Sequence, residues 1–231
     1  MKSLVARSRD DEQMDAEDLD PETYSAVLRD LAAVNTITMA RLPTLKFLRQ
    51  ALAGRSHFRL LDVGYGQGDM LRSIARWARR SGMTAELVGI DLNPNSAPAA
   101  RAATPAKLAI DYRTGNYADL AGGGFDLIVS SLVAHHMTDR QLVDFLRFME
   151  AETEIGWLVN DIHRLRIAYV GFPILARAFG WHRIVREDGT LSIARGLRRK
   201  EWKPYLEMAG VAETARVRIR FPFRLCVERL H

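Results

Sequence analysis

The sequence predicts an α/β fold whose mostly parallel sheet is covered by helices on both faces. Short apolar runs alternate with helical segments from residue 58 to residue 159, which is the pattern of buried parallel strands. A glycine-rich turn at residues 64–68 separates the first strand from its helix. Two strand-like segments joined across Pro222 lie at the end of the sequence, and they predict a pair of antiparallel strands there.

Composition excludes several classes of protein. A chain of 231 residues with 48% hydrophobic and 26% charged residues is globular rather than disordered. No apolar run reaches the roughly 18 residues of a membrane span. The first residues do not resemble a secretory signal, and the single cysteine, Cys226, cannot form an internal disulfide. We therefore expect a cytoplasmic protein.

Charge is segregated along the chain, although the net charge is only +5. Residues 10–22 carry eight acids and no base, whereas residues 164–203 carry ten bases and three acids. We interpret residues 1–18 as a mobile acidic tail and residues 19–231 as a single domain. The basic region is typical of a solvated face, of an anionic ligand site or of a nucleic-acid surface.

The domain is expected to begin with a helical cap over residues 19–54. Asp20, Pro21 and Glu22 have the pattern of a helix start, and a second helix follows Pro43 and stops at Gly54. Strands are predicted at 58–63, 87–90, 108–112, 125–130 and 155–159, and helices at 70–80, 139–149 and 200–208, with a weak helix after the second strand. An insertion, 164–199, follows the fifth strand and contains a predicted turn at Asp188 and Gly189. The terminal strands are predicted at 211–219 and 225–230.

The most informative segments are LLDVGYGQG (60–68) and GIDLN (89–93). In the first, a strand ends, glycines let the backbone turn sharply and approach a ligand, and a helix begins. Asp91, at the end of the next strand, is placed to hold a ribose diol. Together these segments predict a site for a nucleoside-containing cofactor.

Two acids narrow the choice of cofactor. Asp69 stands where the third glycine of the dinucleotide fingerprint would fall. Asp62, two residues before the first glycine, would repel phosphate but suits an ammonium group. S-adenosylmethionine carries an ammonium, a sulfonium and a ribose but no phosphate. The charge pattern therefore favours this cofactor and disfavours a nicotinamide oxidoreductase.

With these residues the chain resembles the class I S-adenosylmethionine-dependent methyltransferases, and among them the small-molecule branch that includes ubiquinone- and menaquinone-biosynthesis-type enzymes. The resemblance covers residues 59–161. LLDVGYGQGD and GIDLNP are similar to the first and second motifs of the family, and GNYADL and FDLIVSSLVAHHMTD to the third and fourth. It implies a Rossmann-like, seven-stranded sheet, mostly parallel with an antiparallel last strand, which agrees with the predicted end of the chain.

The resemblance also implies a set of cofactor-binding residues. Asp62, Gly64, Gly66 and Gly68 would line the methionine end, and Asp91 would accept hydrogen bonds from both ribose hydroxyls. The other members of the set are Tyr65 in the glycine loop, Leu92 and Asn93 beside Asp91, Asn116 and Tyr117 at the adenine ring, and Ser130 and Ser131 near the point of methyl transfer. Asn116 departs from the acid usual at its place in the family.

Histidines follow the strands where the methyl donor should point. A hydroxyl acceptor must lose its proton, and histidine, with a pKa of about 6.5, is a natural base. His135 and His136 follow the fourth strand, and His163 follows the fifth, close in sequence to Asp161. We expect the catalytic residues among these four, each of which could instead pack or fix a loop. A metal site built from these residues is possible on residue type alone, but the resemblance does not imply one and we expect none.

The fourth motif also bears on the acceptor. It lacks the Asn/Asp-Pro-Pro-aromatic run typical of methyltransferases that act on nucleobase amines or protein glutamine, so a hydroxyl or an activated carbon is favoured. Tyr169, Phe172, Phe179 and Trp181 give the insertion an aromatic character. They suit either a lid over a hydrophobic or aromatic acceptor, such as a phenol, quinol or polyketide, or plain packing on the sheet.

Two other functions stay open at this point. One is a protein with the methyltransferase fold that binds the cofactor or a partner without turnover. The other is an RNA-directed methyltransferase, suggested by the arginines of residues 164–203. We expect a small-molecule partner and disfavour nucleic acid, because these arginines are scattered among apolar residues.

Overall fold

A seven-stranded sheet forms the centre of the described part of the chain, which in this computed structural model comprises residues 4–16 and 19–231. The strand order is β3-β2-β1-β4-β5-β7-β6. The strands are β1 (His57–Val63), β2 (Thr84–Asp91), β3 (Asp111–Thr114), β4 (Phe125–Ser131), β5 (Thr153–Ile162), β6 (Arg216–Arg220) and β7 (Arg224–Leu230). β1 to β5 are parallel, whereas β7 runs antiparallel to both β5 and β6. The predicted fold class is confirmed.

Helices cover both faces of this sheet. Within the described ranges they are α1 (Pro21–Ile37), α2 (Leu42–Ala51), α3 (Asp69–Arg80), α4 (Ser96–Ala103), α5 (Asp139–Glu152), α6 (Arg166–Ala178), α7 (Arg183–Arg195) and α8 (Lys203–Ala209). One apolar cluster packs α5 and α8 on one face, with Phe145 and Trp157 at its centre. A second packs α2 and α3 on the other, around Leu48 and Leu71. None of these helices is long and apolar enough to cross a lipid bilayer.

The N-terminal helices start as the sequence predicts. Asp20 caps α1 by accepting a hydrogen bond from the backbone N–H of Thr23 at 2.9 Å, and Pro21 occupies the first helical position. α2 ends at Ala51, three residues before the predicted stop at Gly54, and the chain turns there through the positive φ of Gly54. α1 packs on α4 and α7, whereas α2 packs on β5 and β7.

Residues 4–16, the described part of the predicted tail, do not form a mobile tail. Arg7 donates hydrogen bonds to the backbone carbonyls of His135 and Met137, both at 2.9 Å, and Glu12 is only 3% exposed. Residues 4–16 therefore pack against the domain, because acids and arginines that look solvated in the sequence find partners far along the chain. Residues 1–3, 17 and 18 of the predicted tail lie outside the described residues.

The insertion forms two packed helices, α6 and α7, and the turn predicted at Asp188 and Gly189 is wrong. Both residues lie inside α7. The carboxylate of Asp188 accepts hydrogen bonds from the backbone N–H groups of Gln13 and Met14, at 3.1 and 2.9 Å. A Cβ atom at Gly189 would lie 2.2 Å from the ring of Phe172. Asp188 and Gly189 therefore allow α7 to pack closely against its neighbours and do not form a turn.

The hairpin at the end of the chain starts later than predicted. Residues 211–215 form turns, in which the N–H of Ala215 donates to the carbonyl of Val211 at 2.9 Å, and β6 begins only at Arg216. β3 is likewise displaced, to Asp111–Thr114 instead of 108–112. Apolar residues at 108 and 211 are buried, so they look like strand residues although they sit in connecting segments.

Candidate active site

A cavity of about 1190 Å³ opens at the carboxyl ends of β1, β2 and β4. Ligands of open parallel sheets bind at this edge. The glycine loop and the ends of β1 and β2 form one end of the cavity. Residues of α1, α6 and α7 form the other end, together with Glu12, Met14, Asp15, Ala16 and Leu19. Pockets for one drug-sized ligand are about 300–1,000 Å³, so the space suits a cofactor together with a second molecule.

Positive backbone φ angles shape the glycine loop. Gly64, Gly66 and Gly68 have φ values of 75°, 52° and 75°, a region that residues with a Cβ atom rarely adopt. A Cβ at Gly64 would lie 2.4 Å from a methyl group of Val133, and one at Gly68 2.4 Å from the hydroxyl of Tyr112. Gly64 and Gly66 line the cavity, whereas Gly68 lies behind the loop and starts α3.

Asp62 presents a buried carboxylate to the cavity. It is 1% exposed, and neither of its oxygens has a hydrogen-bond partner among the described residues. Burial, together with the negative charges of Asp69 and Asp91, raises the pKa of Asp62 well above its ordinary range. A buried, unpartnered polar group is costly. The site therefore fits a ligand that brings a positive charge to Asp62, as the ammonium group of S-adenosylmethionine would.

Asp91 ties the first two loops of the site together. Its Oδ2 accepts a hydrogen bond from the N–H of Gly66 and its Oδ1 one from the N–H of Asn93, both at 2.9 Å. Burial raises the pKa of Asp91. Leu92, 75% exposed, and Asn93 also line the cavity. Since a carboxylate oxygen can accept more than one hydrogen bond, Asp91 keeps acceptor capacity for a diol.

Tyr65 and Tyr117 also line the cavity. The ring of Tyr65 packs on that of Tyr112, with centroids 4.9 Å apart, and Tyr117 packs on Phe145 at the same distance. Asn116 is exposed, and its side-chain oxygen accepts a hydrogen bond from the N–H of Ala118 at 3.0 Å. Asn116 does not line the cavity, because it caps its own short turn.

The two serines at the end of β4 differ. Ser130 is buried and its hydroxyl donates to the carbonyl of Val63 at 3.0 Å, so it joins β4 to β1 behind the cavity. Ser131 lines the cavity, as do Leu132 and Val133. Leu132 has a φ of 64°, which is uncommon for a residue with a side chain. Of the predicted pair, Ser131 is the one that faces the site.

His135 is held by Asp161. The two side chains are 2% and 3% exposed, and Nδ1 of His135 lies 2.6 Å from Oδ1 of Asp161. Burial alone would raise the pKa of Asp161, but His135, the backbone N–H of Ile162 and His136 together outweigh burial and keep that pKa below its ordinary value. The ionised form of Asp161 is therefore favoured, and a carboxylate accepts a hydrogen bond from an Nδ1–H.

His136 lies beside His135, with ring centroids 4.3 Å apart. Its Nδ1 lies 2.7 Å from a carboxylate oxygen of Asp15. Burial would lower the pKa of His136, but Asp15 and Glu12 outweigh burial and raise it. His135 and His136 both line the cavity, so three of the four predicted catalytic residues meet at its second end.

His163 is the exception among the predicted catalytic residues. It does not line the cavity, and its Nδ1 is buried without a hydrogen-bond partner among the described residues. Burial lowers its pKa. Its backbone N–H donates to the carbonyl of Phe223 at 3.0 Å. His163 therefore helps to hold the loop after β5 rather than facing a substrate.

Several cavity residues escaped prediction. Glu12 and Asp15 face the two histidines, and the acidic stretch that carries them shows no helical or strand periodicity that would indicate burial. Arg224 lines the cavity, is 5% exposed and donates to the hydroxyl of Thr38 at 2.9 Å. Burial lowers the pKa of Arg224 to about 10. The one signal that could have indicated Arg224 as a site residue was its position at the start of β7, which lies next to the end of β5.

Comparisons with known proteins agree with this arrangement. Residues 61–149 match the model of a family described as "Methyltransferase domain". No curated protein matches the chain at a significant level.

Solved structures share the fold at low sequence identity. An S-adenosylmethionine-dependent methyltransferase from Aquifex aeolicus is 16% identical, with a TM-score of 0.61 over 92% of this chain and 98% of that one. Human N-acetylserotonin methyltransferase is 13% identical, with a TM-score of 0.62 over 91% of this chain and 56% of that one. Magnesium protoporphyrin IX methyltransferase from Synechocystis is 13% identical, with a TM-score of 0.55 over 84% and 83%.

Proposed function

We propose that the chain uses S-adenosylmethionine to transfer a methyl group to a hydroxyl, or to an activated carbon, of a small hydrophobic or aromatic acceptor. The predicted enzyme class agrees with the match of residues 61–149 to a methyltransferase domain, and similar structures solved with S-adenosylmethionine or S-adenosylhomocysteine support the cofactor. The observation that carries the proposal is one cavity with buried acids at one end and a carboxylate-held histidine at the other.

The cofactor end is assigned on charge. Asp62 would hold the ammonium group and Asp91 the ribose hydroxyls, while Gly64 and Gly66 let the backbone approach closely. When bound, S-adenosylmethionine supplies a methyl group activated by a sulfonium. The protein then has to place that methyl group against an acceptor atom, a contribution of about 7–11 kcal/mol in well-oriented reactions. Ser131 and Leu132, between the two ends, would flank this point.

The acceptor end is predominantly apolar. Its walls come from α1, α6 and α7 and include Leu31, Phe172, Leu175 and Val185. Such walls favour a hydrophobic or aromatic molecule with few polar groups. Two of the similar structures are named for small molecules, N-acetylserotonin and magnesium protoporphyrin IX, which supports an acceptor of this kind. A phenol, quinol or polyketide fits the same description.

A hydroxyl acceptor has to lose its proton, and the His135–Asp161 pair is the group that would take it. Asp161 orients the ring and stabilises the imidazolium that proton transfer would form. Nε2 of His135 is then the atom that accepts the proton. A positioned base of this kind accounts for about 10²–10⁴-fold in rate.

The test has two stages. Calorimetry with S-adenosylmethionine and S-adenosylhomocysteine measures cofactor binding, and formation of S-adenosylhomocysteine then measures transfer to a panel of phenols, quinols, polyketides, carboxylates, amines and RNA. We expect transfer to hydroxyl or activated-carbon acceptors only. Transfer confined to carboxylates, amines or RNA would overturn the proposal. Tight binding without transfer to any acceptor would favour a cofactor-binding protein instead.

A further inference from the structure

Three side chains at the acceptor end converge although none of them bonds to another. Nε2 of His135 lies 3.7 Å from Oε1 of Glu12, and Nε2 of His136 lies 3.9 Å from its Oε2. These separations are too long for hydrogen bonds. One ligand atom from each of the three residues lies within 4.8 Å of the others. We propose that Glu12, His135 and His136 bind a divalent transition-metal ion, with zinc as the expected occupant.

The spacing fits a metal ion better than a direct contact. Zinc binds histidine nitrogen and carboxylate oxygen at about 2.0–2.2 Å in tetrahedral geometry, which sets neighbouring ligand atoms roughly 3.3–3.5 Å apart. His135 approaches Oε1 of Glu12 to 3.7 Å and His136 approaches Oε2 to 3.9 Å, a few tenths of an ångström longer, and the ligand atoms of the two histidines lie within 4.8 Å of each other. Side-chain rotations would bring the three ligand atoms to one ion. Two histidines and one carboxylate are a donor set that suits zinc or iron(II).

The hydrogen bonds that Glu12, His135 and His136 make with neighbouring residues also support a metal site. Histidines that bind metals almost always donate their other ring N–H to a carboxylate or carbonyl. Here Nδ1 of His135 pairs with Asp161 at 2.6 Å and Nδ1 of His136 with Asp15 at 2.7 Å. The hydroxyl of Ser192 lies 2.9 Å from both oxygens of Glu12. The Nε2 atoms of both histidines thereby stay available on the side of Glu12.

The charge around Glu12, His135 and His136 favours a bound cation. The carboxylates of Glu12, Asp15 and Asp161 surround this cluster. Two arginines lie beside the cluster. Nε of Arg195 is 3.8 Å from Glu12 but donates to the carbonyl of His135 at 3.0 Å, and Arg7 donates to the same carbonyl at 2.9 Å. Both arginines therefore hold the loop that carries the histidines, and the three carboxylates outnumber them.

The three ligands leave a coordination position toward the acceptor. Glu12, His135 and His136 all line the cavity, and three protein ligands with one open position are the pattern of catalytic zinc. An ion there supplies Lewis acidity that lowers the pKa of an acceptor hydroxyl. A bound ion would occupy Nε2 of His135, so the base role proposed above for His135 applies to the metal-free protein only. In the metal-loaded protein the hydroxyl proton would pass to solvent. This catalytic role rests on the proposed function, whereas metal binding does not.

The site also explains why residues 4–16 pack where they do. Glu12 and Asp15 both belong to this segment, so an ion would fasten it over the acceptor end. The proposal departs from the expectation of no metal ion, which rested on a family resemblance limited to residues 59–161. Glu12 lies outside that range.

Metal binding is tested without cofactor or acceptor. Tag-free protein treated with chelator is titrated with zinc chloride by calorimetry, and cobalt(II) is added separately to record its visible absorption. We expect one ion per chain. Glu12→Gln and His136→Gln should each weaken binding at least about tenfold. His57→Gln is the matched control, because His57 pairs with Glu86 at 3.2 Å on the surface and its loss should change nothing.

Two further measurements distinguish a loss of zinc binding from misfolding, and the metal-site proposal from the proposed function. Unchanged affinity for S-adenosylmethionine shows that the variants fold, and amide hydrogen exchange of residues 4–16 should slow when zinc is added. Zinc binding that is absent, or equal in wild type, Glu12→Gln and His136→Gln, would overturn the site even if methyl transfer is observed. Zinc binding without methyl transfer would leave the site standing and remove the proposed function.

Discussion

Nδ1 of His135 and Oδ1 of Asp161 lie 2.6 Å apart, and both side chains are almost fully buried. The two residues are 26 positions apart in the sequence. Asp161 lies in β5 and His135 in the short turn after β4, and in these neighbouring parallel strands Ser131 pairs with Asn160. The sheet register therefore sets the orientation of the imidazole. With Nδ1 engaged, Nε2 is the ring atom left for the cavity.

Replacing this carboxylate should slow transfer without affecting the cofactor. In Asp161→Asn we expect kcat to fall about 10²–10⁴-fold, because an amide neither fixes the ring tautomer nor stabilises the imidazolium. The Kd of S-adenosylmethionine should not change. Steady-state kinetics with an accepted substrate, together with calorimetry, measures both. Asp144→Asn, an exposed acid on α5, is the control, and an unchanged kcat in Asp161→Asn would remove the proposed role.

We expect Asp62 to favour cofactor binding but to lower the free energy of unfolding of the cofactor-free protein. Its pKa is raised in the folded protein, so the folded state holds this proton more tightly than the unfolded chain. Its contribution to stability therefore falls as pH rises from about 4, the ordinary aspartate pKa, through the raised pKa. Asp62→Asn should raise the free energy of unfolding at neutral pH by on the order of 1–3 kcal/mol, measured by urea unfolding.

The same substitution should weaken S-adenosylmethionine about 10–100-fold, the equivalent of losing one charge-assisted hydrogen bond. Binding to wild type should release protons at pH values near or below the raised pKa of Asp62, because the ammonium group favours the ionised carboxylate. Calorimetry in two buffers of different ionisation enthalpy detects this release. A proton count of zero at every pH, or a destabilised Asp62→Asn protein, would contradict the assignment.

The left-handed glycine at the start of α3 should not tolerate a side chain. Gly68→Ala is expected to cost about 1–2 kcal/mol in backbone strain and more from the Cβ contact of 2.4 Å with the hydroxyl of Tyr112. Gly54→Ala isolates the strain, because Gly54 has a φ of 79° and no atom within 4 Å of an added Cβ. Thermal unfolding should rank wild type above Gly54→Ala and Gly54→Ala above Gly68→Ala. Equal effects would mean that Tyr112 moves aside.

The cofactor end was predictable because its signals are local. A strand, a glycine turn and a helix follow each other within residues 57–80, and Asp91 ends the next strand, so their meeting point follows from parallel pairing alone. The same logic predicts His135 and His136 after β4. Sequence proximity favoured His163 as the partner of Asp161, but β5 places Asp161 beside His135 instead.

The acceptor end was not predictable because its contacts are long-range. Glu12 and Ser192 are 180 positions apart, and nothing near either residue indicates that they meet. The acidic composition of residues 10–22 favours solvent exposure, yet Asp188 and Arg195 of α7 supply partners for this segment. The turn predicted at Asp188 failed for the same reason, since its carboxylate is used in tertiary packing.

Arg7 should fasten the N-terminal segment to the histidine loop. Its side chain is 8% exposed and donates to the carbonyls of His135 and Met137, both at 2.9 Å. Hydrogen bonds from a charged donor contribute about 1.5–3 kcal/mol. Arg7→Met should therefore speed amide exchange in residues 4–16 and 134–137 and raise the acceptor KM, with the Kd of S-adenosylmethionine unchanged. Arg9→Met is the control, because Arg9 pairs with Asp139 on the surface. If both variants behave alike, the segment does not depend on Arg7.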